Sequence, residues 1–341
     1  LGSGMRATPA AAMRLMPQNI DEWPALVFSD NPRPQPHPVV TNELRQLVDV
    51  YNEKIGTIST RDTRSVREAV SRAHFENDHS AYGSATCVIL SGHPLSGKTH
   101  AALTCAFGET RDIWSRLGRA PDDPKFDRSI PWIYVEVPKL ARGLSLLKAI
   151  WTFIGLPPLP PRATAADYLH ALRKLAPAIG LRGIIIDDSH GIGERQSQDS
   201  RLLADVLKGI ITGLPATIVL VGTGFDESGV LHGSAGDQVR LRGARWIDVG
   251  NWQPPSPATV GDWEMLGRSL SERLVLPSES ATIRLTTRGA IRCLHEGSRG
   301  RPGLAVKWAK RAASYAVWND TDLDVAALEA THALMTSTEA L

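Results

Sequence analysis

An apolar segment followed at once by a glycine-rich loop constrains this chain more than any other feature. Residues 86–90 are apolar, and the next residues match the pattern G-x-x-x-x-G-K-[ST] in full: Gly92, His93, Pro94, Leu95, Ser96, Gly97, Lys98 and Thr99. Such glycines let the backbone curl until its N–H groups face an anion, and the positive end of a following helix strengthens the attraction. With the helix expected over residues 100–107, the pattern predicts a P-loop. A chance glycine-rich turn is the alternative, and the complete motif in this setting disfavours it.

Each polar residue of the loop has a task in phosphate chemistry. The ammonium group of Lys98 reaches the β- and γ-phosphates, and the Thr99 hydroxyl completes the coordination shell of Mg²⁺. His100 follows directly and joins the residues expected to line the nucleotide site. We therefore expect ATP and Mg²⁺ as cofactors.

The apolar pattern along the chain predicts an α/β fold. Strand-like runs occur at residues 86–90, 132–137, 183–186, 217–221 and 246–249, with helical stretches between them. Continuous apolar runs are typical of parallel strands that are covered on both faces, so the order predicts a doubly wound parallel sheet. Two further helices are expected before the sheet, over residues 41–55 and 65–75.

The pattern changes after the proline pair at residues 254–255. Only helices are predicted beyond it, over residues 257–274, 278–287, 290–296 and 302–317. We expect a nucleotide-binding α/β domain over residues 41–253, a small helical lid over 254–318 and a C-terminal tail over 319–341. Residues 1–40 are rich in proline and predict an extended arm, either mobile or laid on a neighbour. Residues 1–4, ahead of Met5, resemble a cloning scar.

Composition narrows the class of protein. The formal net charge is only +2, so contact with nucleic acid would need a local basic surface. Three scattered cysteines, Cys87, Cys105 and Cys293, predict neither a disulfide framework nor a zinc site. No apolar run is long enough to span a bilayer and no signal peptide opens the chain, so we expect a cytoplasmic protein.

Two carboxylates follow the third apolar run. Asp187 comes directly after residues 183–186, and Asp188 follows it. At this place in P-loop enzymes the first acid holds Mg²⁺ through water and the second polarises the attacking water. Asp188 is one methylene shorter than the usual glutamate, so hydrolysis is expected to be slow. An acidic cap at the end of a strand is the alternative.

These segments together resemble the TniB/TnsC group of AAA+ transposition ATPases, target-DNA regulators that also include the Mu B protein. The resemblance runs from about residue 38 to 317. It depends on the P-loop and residues 184–190, where the family commonly has Asp-Glu-x-His, on residues 222–228 and 238–246, and on the Gly-x-x-Gly turn at residues 300–303. It implies an ATPase that forms a ring or helical filament on double-stranded DNA and recruits a transposase. Asp188 in place of glutamate departs from the family pattern.

Residues outside the P-loop also have candidate roles at the nucleotide. The fourth strand would lie between the first and third, so that Thr223 at its tip faces the γ-phosphate. One of the arginines before the fifth strand would be an arginine finger, which stabilises the γ-phosphate of a neighbouring subunit; Arg245 is favoured and Arg242 is the alternative. In the lid, Arg301 or Arg299 could reach back to the nucleotide. A polar strand end remains the alternative for Thr223, and a solvated basic loop remains the alternative for the arginines before the fifth strand. For the lid arginines the alternative is an ordinary loop at the entry of a helix.

The same resemblance places DNA near the helix that follows the second strand. Lys139, Arg142 and Lys148 lie there and could contact phosphates without reading sequence, although ordinary solvated charges are the simpler interpretation. A different class of function also remains open: a signalling or defence regulator of the AAA+/STAND type, in which nucleotide gates a protein–protein contact. A clamp loader or helicase loader is a third candidate function, and its mechanism would be closer to that of the transposition ATPase.

Overall fold

The computed structural model describes residues 17, 19–23, 27, 32–79, 86–118, 129–137, 143–189, 198–225, 244–250 and 252–336. A five-stranded parallel sheet lies at its centre, with strands β1 Val88–Ser91, β2 Trp132–Glu136, β3 Gly183–Asp187, β4 Thr217–Val221 and β5 Arg245–Asp248. The strand order is β2-β3-β4-β1-β5. The expected doubly wound α/β fold is therefore confirmed, and β4 lies between β1 and β3 as predicted.

The parallel arrangement brings the carboxyl ends of the strands to one edge of the sheet. β1 leads from Ser91 into the P-loop, β3 ends at Asp187, and Gly222 follows β4 with its N–H bonded to the Leu90 carbonyl at 3.1 Å. In open α/β sheets this is the edge at which ligands bind. β5 is an edge strand whose positions alternate between half-buried and exposed, whereas β1, β3 and β4 are buried throughout.

Ten α-helices are described besides a short 3₁₀ turn, Ile20–Glu22. They are α1 Asn42–Glu53, α2 Arg61–His79, α3 Lys98–Arg116, α4 Gly143–Phe153, α5 Ala165–Ala178, α6 Gln198–Gly213, α7 Val260–Arg273, α8 Arg288–Ser298, α9 Pro302–Asn319 and α10 Val325–Thr336. α2 and α3 are longer than predicted. The second half of α3 remains helical beyond residue 107 because Thr110 and Trp114 on that half are buried against the rest of the domain.

Part of the proline-rich arm packs on its own chain. Trp23 and Val27 are fully buried within the apolar cluster around the sheet. Trp23 lies edge-on to Phe107 and donates its indole N–H to the Thr110 hydroxyl at 3.3 Å, and the Arg111 guanidinium donates to the Val27 carbonyl. The expectation of an arm that is mobile or laid on a neighbour is wrong for this part, because a tryptophan buries a large apolar surface against α3.

A second apolar cluster forms the lid, and it includes α1. Val48 of α1 is buried there, and Asn52 joins α1 to the lid by donating to the Val275 carbonyl and accepting from its N–H, both at 2.9 Å. The sequence pattern groups residues 41–55 with the α/β domain, but their packing places them with the lid. An amphipathic pattern shows that a helix has an apolar face, but not which surface that face will meet.

Two expectations about the lid were wrong. Residues 278–287 are not a helix: the Ser278 hydroxyl accepts the Ser280 N–H at 3.3 Å, and Leu323 pairs with this segment by donating to the Thr282 carbonyl at 2.9 Å. Local hydroxyl bonds of this kind compete with helix formation. The expected tail contains α10, which packs in the lid core, where the Trp308 indole N–H donates to the Leu328 carbonyl at 3.1 Å.

Candidate functional site

The P-loop takes a tight path between β1 and α3 because one of its glycines is closely packed and a second has a left-handed conformation. A Cβ at Gly92 would lie 2.2 Å from the Val249 carbonyl oxygen. Gly97 has φ 98°, a left-handed conformation that glycine adopts without strain, and it precedes the first residue of α3. Leu95, at the tip, also has a positive φ of 60°. The backbone therefore has the form that the sequence motif predicted.

Lys98 begins α3 and turns its side chain back into the loop. Its ammonium group donates to the carbonyls of Gly92 at 2.8 Å and His93 at 2.7 Å. Burial lowers the pKa of Lys98, and the carboxylates of Asp187 and Asp188 act in the opposite direction. A buried ammonium group held by two neutral carbonyls is poorly compensated, so an anionic phosphate would be a better partner.

Asp187 ends β3 in a buried position, and its carboxylate accepts two hydrogen bonds. The Tyr134 hydroxyl donates at 3.0 Å, and the backbone N–H of Asp188 donates at 2.8 Å. Burial raises the pKa of Asp187, and the neighbouring hydroxyls of Thr99 and Tyr134 partly offset the rise. The two residues expected at a Mg²⁺ site, Thr99 and Asp187, thus lie close together.

Asp188 has a different environment from its neighbour. It is exposed and has φ 52°, a conformation in which aspartate is more common than most residues. The Ser189 hydroxyl donates to the Ile186 carbonyl at 2.8 Å and closes the turn beneath it. Asp188 therefore presents its carboxylate to solvent at the edge of the sheet that holds the P-loop.

Thr223 lies at the same edge, two residues after the end of β4, and is half-buried. Its strand adjoins both β1 and β3, so the residue follows a strand placed between the P-loop and Asp187. A role for Thr223 stays a prediction.

The lid touches the P-loop through its Gly-x-x-Gly turn. A Cβ at Gly303 would lie 2.5 Å from the Leu95 carbonyl oxygen and 3.0 Å from the Gly97 nitrogen. A Cβ at Gly300 would lie 2.5 Å from the Trp252 carbonyl oxygen. Arg301 lies between these two close approaches, at the N-cap of α9. The backbone of the turn that carries Arg301 therefore lies beside the P-loop, and a role for Arg301 at the nucleotide stays a prediction.

A pocket beside the loop has walls that sequence reasoning missed. It has a volume of about 180 Å³ and lies between the P-loop, the segment from Ile55 to Thr63 ahead of and within α2, and the lid residues Pro302, Gly303, Val306 and Lys310. Its lining is mostly apolar. The segment before α2 carries no phosphate or metal motif, so only the tertiary structure brings it to the site.

His100 forms part of this pocket wall. Its Nε2 accepts the backbone N–H of Ile58 at 3.1 Å, which ties α3 to the segment before α2. Burial lowers the pKa of His100, and the positive charges of Lys310 and Arg273 act in the same direction. The ring therefore accepts a hydrogen bond as part of the pocket wall, and its place beside a nucleotide stays a prediction.

The arginines expected as a finger lie away from the P-loop of their own chain. Arg245 begins β5 and pairs with Val88 at the start of β1, so it lies at the amino edge of the sheet, opposite the P-loop. Its guanidinium forms a salt bridge with Glu76 at the end of α2. Arg242 lies outside the described residues. These positions do not decide whether Arg245 or Arg242 is the arginine finger, and the finger role itself stays a prediction.

The expected DNA contacts are described only in part. Lys148 is an exposed residue of α4, whereas Lys139 and Arg142 lie outside the described residues.

Within the described ranges, no group of three or more His, Cys, Asp or Glu side chains could hold a metal ion. No helix in that part of the chain is long and apolar enough to cross a membrane.

Comparison with known proteins agrees with this architecture. The fold is similar to that of the ORC2 protein from Aeropyrum pernix, with 16% identity, a TM-score of 0.57, and coverage of 80% of this chain and 68% of that one. It is also similar to Cdc6p from Pyrobaculum aerophilum, with 13% identity, a TM-score of 0.51, and coverage of 84% and 68%. No curated protein matches the sequence.

The family itself is shown by sequence. The model of the bacterial TniB protein family matches residues 60–238, just over half of the chain, from the start of α2 through the P-loop and Asp187 to beyond β4. These are the elements that build the phosphate-binding edge of the sheet. The chain therefore belongs to the TniB family and has the fold of a P-loop AAA+ ATPase.

Proposed function

We propose that this protein is an ATP-dependent regulator of DNA transposition. In this proposal it binds ATP with Mg²⁺, assembles as a homo-oligomeric ring or filament on double-stranded DNA without sequence preference, and recruits a transposase. Membership of the TniB family supports the biological setting. The observation that carries the chemistry is the buried Asp187 carboxylate close to Thr99, beside the buried ammonium group of Lys98 that two P-loop carbonyls hold.

The residues at this place fit Mg²⁺. Thr99 and Asp187 both offer oxygen donors, which a hard cation prefers, and the Asp187 carboxylate is buried with a raised pKa that a nearby cation would lower. When bound, Mg²⁺ neutralises charge on the phosphates of ATP. Thr99 and Asp187 would hold it, while Tyr134 and the Asp188 N–H keep the Asp187 carboxylate in its orientation.

The neighbouring groups have separate tasks in the proposal. Lys98 exchanges its two carbonyl acceptors for phosphate oxygens, and the base of the nucleotide occupies the apolar pocket that His100 lines. Asp188, exposed beside the site, accepts a proton from the attacking water, and Thr223 orients the γ-phosphate. The ORC2 protein that shares this fold was solved as ADPNP–ADP complexes, which supports a nucleotide as the ligand.

Further arginines and lysines have proposed roles at the phosphates of ATP, in the same or a neighbouring subunit, and at DNA. Arg301 approaches the phosphates from the lid of the same chain, and Arg245, or Arg242, approaches those of a neighbour. Lys148, with Lys139 and Arg142, contacts DNA phosphates. Such contacts make binding depend on salt and not on sequence.

The test combines microscopy with kinetics. The protein is mixed with duplex DNA and ATP, a non-hydrolysable analogue or ADP, and viewed by negative-stain electron microscopy while phosphate release is measured. Lys98→Ala is expected to abolish nucleotide binding and assembly. Asp188→Asn is expected to assemble on DNA but to hydrolyse ATP at least about a hundredfold more slowly, because it cannot accept the proton. Lys174→Ala, an exposed lysine of α5, is the matched control.

The outcomes separate the candidate functions. Rings or filaments that form only with DNA and a triphosphate would support the transposition regulator. A chain that binds ATP through Lys98 but ignores DNA at every nucleotide state would contradict it. That second result would favour a regulator of the AAA+/STAND type, in which nucleotide gates a protein–protein contact.

A further inference from the structure

Arg245 cannot serve the P-loop of its own chain. It pairs with Val88 at the start of β1, whereas the P-loop begins after Ser91 at the other end of that strand. The separation along the strand is about 13 Å at roughly 3.3 Å per residue, and the Arg245 side chain is directed to α2. If this guanidinium acts on a nucleotide, the nucleotide must belong to another copy of the chain.

Glu76 holds Arg245 from the end of α2. One carboxylate oxygen accepts from the Arg245 guanidinium, and the other accepts the Thr86 hydroxyl at 3.1 Å. Asn77 holds Thr86 in turn, accepting its N–H at 2.6 Å and donating to its carbonyl at 3.0 Å. Because Thr86 lies two residues before β1, the guanidinium is fixed relative to the central sheet and not only to its own strand.

The salt bridge is poorly suited to a purely stabilising role. Both side chains are partly exposed, Arg245 at 29% and Glu76 at 40%, and pairs of this kind contribute little to folding because water and salt screen them. Glu76 accepts from one terminal nitrogen of the guanidinium, Nη2, and the Arg245 side chain stays partly exposed at a groove lined by Arg72, Trp246 and Ile247. Glu76 thus orients a cation whose exposed part can still meet an anionic partner.

We propose that Glu76 is a positioning residue: it sets the Arg245 guanidinium at the subunit surface so that it can contact the nucleotide phosphates bound by a second copy of this chain. The inference rests on the proposed function, because it needs ATP hydrolysis in an assembly of several copies. Glu76 itself touches no nucleotide. Its contribution is expected in the rate of hydrolysis in a neighbour and not in the binding of ATP to its own subunit.

Assemblies that mix two variants test whether Glu76 acts on hydrolysis in a neighbouring subunit and not on ATP binding in its own. Subunits with Arg245→Ala keep an intact P-loop but cannot supply the arginine, and subunits with Asp188→Asn supply the arginine but cannot hydrolyse ATP. Mixed on duplex DNA, the two are expected to recover at least about a tenth of the wild-type rate, because an arginine finger contributes a factor of about 10³ or more. The supplying subunit is then given Glu76→Gln, which keeps the shape of the side chain but removes its charge.

Glu76→Gln in the supplying subunit is expected to lower the recovered rate about tenfold or more, with KM for ATP unchanged. Displacements of about 1 Å at a reacting centre have effects of this size. Glu68→Gln, the same substitution two turns earlier on α2 and in the same groove, is the matched control and should leave the recovery intact. Thermal unfolding and binding of a fluorescent ATP analogue confirm that each variant is folded.

Each result decides the inference. Recovery that is equally strong with Glu76→Gln and with Glu68→Gln overturns it while the proposed function stands. Failure of Arg245→Ala to lower the rate also overturns it, because Arg245 is then not the arginine that acts between subunits. A wild-type chain that binds ATP but neither assembles nor hydrolyses it on DNA overturns the proposed function, and this inference with it.

Discussion

The close approach between the lid and the P-loop gives a sharp test of how the nucleotide site is assembled. Gly303 has no side chain, and an added Cβ would lie 2.5 Å from the Leu95 carbonyl oxygen, which is backbone and cannot rotate away. The contact must open to the ordinary separation of about 3.4 Å, so Gly303→Ala has to move the start of α9 by about 0.9 Å. That movement widens the pocket that Gly303 and Gly97 line together.

We expect Gly303→Ala to weaken ATP binding by about 10- to 100-fold, or about 1.4 to 2.8 kcal/mol. Arg301 moves with the same turn, so hydrolysis should fall further than binding. The global stability should fall by only about 1 to 3 kcal/mol, as for other overpacked sites, and the fold should persist. Titration of a fluorescent ATP analogue measures the affinity, and thermal unfolding with and without ATP separates binding from stability.

Gly261→Ala is the matched control for this prediction. It makes the same substitution near the start of α7 in the lid, where a Cβ would meet nothing within 4 Å. ATP binding should stay at the wild-type value, and stability should rise slightly because alanine favours a helix over glycine. Wild-type affinity in Gly303→Ala would refute the reasoning, since the lid could then shift without any effect on the nucleotide.

Three further substitutions test the packing. Trp23→Ala should lower the free energy of unfolding by about 3 to 5 kcal/mol, because a fully buried indole is removed; a loss below about 1 kcal/mol in urea unfolding would show that the arm packs loosely. Asn52→Ala should cost roughly 2 to 4 kcal/mol, since both backbone groups of Val275 lose their partner; a near-neutral thermal unfolding result would contradict it. Burial raises the pKa of Asp62 above its value in the unfolded chain, and hydrogen bonds such as that from Trp252 partly offset the rise. The folded wild type therefore binds more protons than the unfolded chain, so its stability should rise relative to that of Asp62→Asn as the pH falls from 7 towards 4. Urea unfolding across that range measures this slope, and a constant difference in stability would contradict the prediction.

Local sequence was sufficient for the phosphate-binding edge of the sheet. The P-loop, the strand before it and the acidic end of β3 are each contained in about ten consecutive residues, and parallel strands necessarily bring their carboxyl ends to one edge. The proximity of Thr99 and Asp187 therefore follows from two short motifs once the sheet is correct. The strand order, with β4 between β1 and β3, was expected from the resemblance to AAA+ proteins and is observed.

Only the tertiary structure decided what depends on residues far apart in the chain. The burial of Trp23 against α3, the joining of α1 to the lid through Asn52, and the approach of Gly303 to Leu95 all link segments that no local pattern connects. The salt bridge between Glu76 and Arg245 spans 169 residues. Periodicity shows that a face is apolar and a motif shows what a loop can bind, but the partner of each surface is chosen by packing over the whole chain.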